Sequence, residues 1–162
     1  MIKVENTYNL QRIQIEVDWI IKKQGWNSNQ IALQSPDGEF KTGSDDELGL
    51  NSTYGENFKE KDFNKPNTPE HWEITKLIKD NNLYRTRLLL INPRACYSYH
   101  VDFTKRIHLA VTTHPHCFII INEEIQHIPA DGNAYLIDTT NPHTALNASL
   151  SHDRIHIVGC CK

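Results

Sequence analysis

Apolar residues along the chain fall into two regimes. From Asn9 to Lys23 the positions Leu10, Ile13, Val17, Ile20 and Ile21 recur every three or four residues, the spacing of one helix face. Gly25 is a natural stop for that helix. "IALQ" followed by "SPDGEF" reads as a short strand and a turn. Residues 41–66 are polar, with Gly, Ser, Asp, Asn and Lys, which predicts a long loop; in compact domains such loops are often binding lids. "NTPEHWEITKLIKDNN" predicts a second helix over 69–80, with Thr68 as its cap and Pro69 at the first helical position. Trp72, Leu77 and Ile78 would then face the core.

After Asn82 the period changes. "LYRTRLLLIN", "YSYHVDF", "RIHLAV", "CFIII", "QHIPA", "AYLID" and "RIHIVGC" are short and rich in β-branched and aromatic residues. Turn signals separate them: "NPR", "THPH", "INEE", "ADGN" and "TTNP". The expected fold is mostly β with N-terminal helices: a sandwich, barrel or jelly roll with about two helices over one outer face. No repeat or low-complexity tract interrupts the chain. We expect one domain over 1–162, with a helical and loop part (1–82) and a strand-rich core (83–162).

Net charge is -3, which argues against nucleic acid or an anionic membrane as the main partner. "MIKVENTYNL" lacks a basic stretch followed by an apolar one, and no run of about 18 apolar residues occurs, so neither a signal peptide nor a membrane span is expected. Cys96, Cys117, Cys160 and Cys161 include no C-x-x-C pair, and adjacent cysteines make poor zinc ligands. They read as reduced, mostly packing residues of a cytoplasmic protein, with a disulfide between strands as the alternative. Histidine is unevenly placed: of nine, only His71 precedes residue 99, so the chemistry is expected in the C-terminal half.

Residues two apart on a strand share a side. His100 and Asp102 then share one face, Arg106 and His108 another, Arg154 and His156 a third, while Ile107, Leu109, Val111, Ile155 and Ile157 point away. The plainer reading is a half-solvated sheet. Solvent faces, however, usually carry Lys, Glu, Thr and Ser, whereas these carry His and Arg. Closing such strands into a small barrel turns the ionisable face into a cavity lining.

The H-x-D pair is the sharpest signal. His100 and Asp102 can bind one divalent ion, and a second imidazole would complete a 2-His-1-carboxylate triad suited to non-haem Fe(II). His143 is the candidate: it lies 41 residues past Asp102, far enough for intervening strands to return it. His152, His114 and His116 sit in polar turns and read as solvated, His127 lacks a carboxylate at matching spacing, and His156 reads as a supporting residue. An Fe(II) oxygenase of this type commonly draws electrons from 2-oxoglutarate, a dianion that Arg pairs with well. Arg154 is the candidate for its far carboxylate, and Arg106 and His108 for the end near the metal. For any one Arg an ion pair, such as with Asp153 or Asp131, is the plainer reading.

"YSYHVDFTKRIHLAVTTHP" followed by "PADGNAYLIDTTNPHTALNAS" and "DRIHIVGC" resembles the aspartyl/asparaginyl β-hydroxylase-like family of Fe(II)/2-oxoglutarate oxygenases, over about residues 83–161. The resemblance implies a double-stranded β-helix, or jelly roll. It puts His100, Asp102 and His143 on the metal positions, Arg154 on the far carboxylate, and Arg106 and His108 on an R-x-H pair beside iron. Asp102 stands where animal protein-modifying members have glycine, as in bacterial relatives acting on small amino acids. Leu89 stands where some members have a hydroxyl side chain for the far carboxylate. The implied reaction uses dioxygen to hydroxylate an aliphatic C–H of an amino acid, free or in a polypeptide. Helix 69–80 and loop 41–66 would shape the substrate mouth, with Trp26 and Trp72 in core packing.

Two rival functions share these features. "GNAYLIDTTNPHTALN" has the spacing of a second cupin motif through Gly132, His143 and Asn147, but Asp138 and Thr140 replace its Pro and Gly, and no convincing first motif surrounds "HPH". A cupin enzyme would not depend on 2-oxoglutarate. A barrel that binds without catalysis would have broken metal or Arg positions, and none is broken. The acidic N-terminal half, with ten basic and fourteen acidic residues up to Asn82, leans toward a cationic substrate.

Overall fold

The computed structural model describes residues 1–26, 28–40 and 58–161. In chain order these form β1 (Ile2–Thr7), α1 (Leu10–Gln24), β2 (Gln30–Ala32), β3 (Gln34–Ser35), a 3-10 turn (Glu60–Asp62), β4 (Lys65–Pro66) and α2 (Glu73–Asp80). There follow β5 (Tyr84–Ile91), β6 (Ala95–Cys96), β7 (Arg106–Thr112), β8 (Cys117–Ile121), β9 (Glu124–Gln126), β10 (Asn133–Ile137), β11 (His143–Asn147) and β12 (Arg154–Cys160). One sheet has the order β1-β10-β7-β12-β5-β2, a second β6-β11-β8-β9, and β3 pairs with β4. From β5 onward the chain passes back and forth between the two larger sheets, and the pairings are antiparallel. This is a jelly roll, with both edge strands of its larger sheet drawn from the N-terminal part.

The helices cover the outer face of the larger sheet. On it Leu88, Ile157, Leu109 and Ala134 form one row across β5, β12, β7 and β10. That row packs with Ile13, Val17 and Ile20 of α1 and Ile74, Leu77 and Ile78 of α2. Each such aliphatic side chain contributes roughly 1.5–3 kcal/mol by leaving water. A smaller apolar cluster, with Ile91, Ala110, Ile119, Ile121 and Ala145, lies between the two sheets.

Asn9 caps α1 by accepting from the Arg12 N–H, and Gly25 ends it at a φ of 71°, where a side chain would be strained. The second helix is shorter than its pattern predicts and starts at Glu73, not at 69. Thr68 does not cap it; its hydroxyl bonds Thr75 instead. The opening N–H groups of Glu73 and Ile74 donate to the buried Glu16 carboxylate of α1, at 2.9 and 3.0 Å. A carboxylate at a helix N-terminus meets both unsatisfied donors and the positive end of the dipole. Burial still holds Glu16 above the usual carboxylate range.

Three further expectations change. "YSYHVDF" is not a strand: pairing stops at Cys96 and resumes only as an isolated bridge between His100 and His143. Tyr99, Val101 and Phe103 are exposed, so no packing holds this segment in a sheet. "QHIPA" stops pairing at Gln126, ahead of Pro129, which has no N–H to donate. Helix α2 and Trp72 pack on the outer face and do not shape a substrate mouth; Trp72 and Trp26 join the outer core. Within the predicted loop, 41–57 lies outside the described residues, and 58–66 carries the 3-10 turn and β4. The four cysteines are free thiols. Among the described residues no helix is long and apolar enough to cross a membrane.

Candidate metal centre

His143 opens β11, and the chain crosses it at His100. The two residues exchange backbone hydrogen bonds of 3.0 and 2.9 Å, which brings their ring centres to 4.3 Å. Each Nδ1 faces a carbonyl, Ser98 O at 2.7 Å for His100 and Asn141 O at 2.9 Å for His143. A carbonyl only accepts, so each Nδ1 carries the proton and each Nε2 presents a lone pair. The backbone N–H of Asp102 donates to Thr139 O at 2.9 Å, which anchors the carboxylate beside the rings. Asp102 Oδ1 lies 4.0 Å from His100 Nε2, and Oδ2 lies 3.7 Å from His143 Nε2. One donor atom from each residue lies within 4.8 Å of the others, a spacing that one divalent ion can draw together. Among the described residues this is the one His, Cys, Asp or Glu group so arranged. Burial holds His143 below the ordinary imidazole value, with the His100 ring adding to it, so it is neutral at pH 7 as a ligand must be.

The triad opens on a cavity of about 420 Å³ between the sheets, within the range of small-molecule sites. Arg106, His108 and Arg154 all line it, so the candidate residues come together although β7 and β12 are far apart in sequence. Their states differ. Arg106 is committed to protein partners: its Nε lies 3.3 Å from Asp102 Oδ2, Nη2 lies 3.6 Å from Glu60, and Nη1 bonds Thr104. Arg154 has no carboxylate within 4 Å among the described residues, and its buried Nη2 lacks a hydrogen-bond partner. The ion-pair reading with Asp131 fails, since that carboxylate bonds Asn133 and Tyr135. Burial lowers the Arg154 guanidinium to about 10, which still leaves it charged at neutral pH. Burial, then the Arg154 and Arg106 charges, push His108 well below the ordinary imidazole value. His156 is as buried and as depressed, with neither ring nitrogen hydrogen-bonded.

Among the cavity residues that the sequence reading missed are Arg85, Arg87, Tyr97, Gln30 and Glu60. The two arginines had a signal, since R-x-R in an otherwise apolar strand alternates as Arg106 and His108 do. A bulge then re-aims Arg85. Tyr84 pairs with Cys160 and Arg87 with Val158, so β5 carries one residue too many there, and Arg85 takes a φ of 49°. Gly159 stands opposite the bulge because a Cβ there would lie 2.7 Å from both Leu83 and Thr86. Arg85 pairs with Glu60, and Arg87 donates to Gln30 at 2.9 Å. Gln30, Glu60 and Tyr97 had no local signal.

The other histidines lie elsewhere. His114, His116 and His152 sit on two exposed turns with ring centres 4.8–4.9 Å apart, and His127 bonds the Cys117 carbonyl.

Among solved structures, a cupin domain from Bordetella pertussis Tohama I aligns at 15% identity, covering 48% of this chain and 80% of that one, with a TM-score of 0.39. A Cupin_2 domain of an XRE family transcriptional regulator from Enterobacter cloacae aligns at 13%, covering 52% and 86%, with a TM-score of 0.39. A predicted oxalate decarboxylase from Thermotoga maritima aligns at 14%, covering 52% and 73%, with a TM-score of 0.37. No curated protein matches. The sequence profile of the aspartyl/asparaginyl beta-hydroxylases, in contrast, matches residues 7–160, helices and barrel together, and the chain therefore belongs to that family.

Proposed function

We propose that this protein is an Fe(II)- and 2-oxoglutarate-dependent oxygenase that hydroxylates an aliphatic C–H of an amino acid, free or within a polypeptide. In this reading His100, Asp102 and His143 hold the ion from one side and leave its other positions open to the cavity. Iron with 2-oxoglutarate and dioxygen supplies the oxidising power, which leaves an alcohol on the substrate, succinate and carbon dioxide. Arg154 takes the far carboxylate. Arg106 orients Asp102 through its Nε, and with the neutral His108 it borders the end of the cosubstrate nearest the ion. Four free thiols suit a reducing compartment such as the cytoplasm.

The observation that carries the reading is the set of buried polar atoms that find no partner among the described residues around one cavity: Arg154 Nη2, His108 Nδ1, Tyr97 Oη and the Nε atoms of Arg85 and Arg87. Such atoms are costly to leave unpaired, and several in one place mark a site for a polar ligand. A dianion with ordered water meets that need, and the donor set at the mouth suits Fe(II) better than a thiolate-seeking ion.

Anaerobic addition of Fe(II) and 2-oxoglutarate should produce a visible metal-to-ligand charge-transfer band. A screen of amino acids and peptides should then release succinate. Asp102→Ala should abolish both the band and turnover. A wild-type protein that never develops the band overturns the proposal.

A further inference from the structure

Leu89 poses a problem for the proposed cosubstrate. It lines the cavity at the position where the family resemblance expects a hydroxyl, and an isobutyl group donates nothing to a carboxylate. A hydroxyl is nevertheless present on the same wall. Tyr97 lines the cavity, and its Oη is buried without a hydrogen-bond partner. Its ring packs with the apolar cluster between the sheets that includes Ile91, Ile119 and Ala145. Its backbone is clamped to β11, with the N–H donating to Ala145 O at 2.9 Å and the carbonyl accepting from Thr144 Oγ1 at 2.7 Å. The phenol is therefore held in place by apolar packing and two hydrogen bonds that do not involve its oxygen.

The charges that reach the phenol are those of Arg154 and Arg87, both cationic. Burial nonetheless raises the phenol above its ordinary value, so it is a protonated donor at neutral pH. A held O–H donor on the same cavity as a buried guanidinium with an unused N–H, and within reach of its charge, makes a paired anion receptor: one charged arm and one neutral arm. Neither arm finds a protein acceptor among the described residues, which leaves both available to something that enters the cavity.

We propose that the Tyr97 hydroxyl donates to the far carboxylate of 2-oxoglutarate beside Arg154, taking the part that Leu89 cannot play. The proposal rests on the oxygenase reading above, and Tyr97 is a binding residue in it, not a participant in the chemistry.

Tyr97→Phe keeps the ring and removes only the oxygen. Dissociation constants would be measured from the anaerobic charge-transfer titration of the Fe(II) protein, once with 2-oxoglutarate and once with 2-oxobutyrate, which lacks the far carboxylate. The variant should bind 2-oxoglutarate roughly 10–100-fold more weakly, the loss typical of one hydrogen bond to a charged group. Its affinity for 2-oxobutyrate should match wild type, and its thermal midpoint without ligand should not fall. Retained 2-oxoglutarate affinity, within twofold, overturns the assignment. An equal weakening of both acids also overturns it, because that is the signature of disturbed ring packing. A wild-type protein that binds neither acid fails at the oxygenase reading itself, a result distinct from either.

Discussion

Two adjacent rows of the larger sheet behave in opposite ways. Leu88, Ile157, Leu109 and Ala134 run across four strands and meet the helices. One residue further along the same strands, Arg87, Val158, His108 and Tyr135 run across the cavity side. The outer row is apolar and close-packed. The inner surface holds guanidinium and imidazole groups, several without partners, which by themselves weaken the fold. The same hydrogen-bond ladder serves both. The difference teaches that the outer core supplies the stability that lets the inner face stay charged and partly unsatisfied.

Exchanging the roles of the two faces would break this comparison. Arg154→Met keeps length and removes charge; it should weaken 2-oxoglutarate by about 3–5 kcal/mol, the usual cost of stripping the partner from a buried charge. Its unfolding free energy, from a urea titration without ligand, should stay level or rise. A clear loss of stability would mean that Arg154 is a structural residue. Leu109→Ala should do the reverse. This fully buried side chain leaves a cavity, so a loss of about 2–5 kcal/mol of stability is expected, with the charge-transfer band retained in the folded fraction.

A smaller effect sharpens the contrast through pH. His156 is neutral in the fold because it is buried, with the Arg154 charge and the His108 and His127 rings reinforcing this, so its value lies well below 6.5. The unfolded chain takes up that proton near pH 6.5, which the folded chain does not. Stability contributed by the neutral ring is thus present above about pH 6.5 and is lost as pH falls toward the folded value, by up to about 1.4 kcal/mol per pH unit. His108 adds a second proton in the same sense. His156→Leu, which sets an aliphatic chain beside Leu89 and Ala110, should flatten the slope of stability between pH 6.5 and 5 by one proton. An unaltered slope would mean that His156 titrates freely in the fold.

Where the sequence was readable, a simple rule sufficed. Alternation along "RIHLAV" and "RIHIVGC" separated Arg106, His108, Arg154 and His156 from the aliphatic residues that meet the helices, because β7 and β12 are central strands with one face against the helices. Applied to "LYRTRLLLIN", the rule would also have found Arg85 and Arg87. It failed at "YSYHVDF", where extended-looking residues belong to a segment with one bridge and exposed aromatic side chains. His100 and Asp102 still meet there, but for another reason: each is tied by its backbone to the β10–β11 region, at His143 and Thr139.

Residue types and their periods decided the class of the molecule: two helices ahead of a strand-rich barrel, an ionisable lining, and a His-x-Asp pair with a distant His143. Periodicity carries this much because side-chain direction follows from local backbone geometry. Tertiary structure alone decided which arginine is committed and which is free. Arg106 and Arg85 are held by Asp102 and Glu60, Arg87 leans on Gln30, and Arg154 has no carboxylate near it among the described residues. Contacts between residues dozens of positions apart depend on how the sheets close and where β5 bulges, and no local pattern encodes that closure.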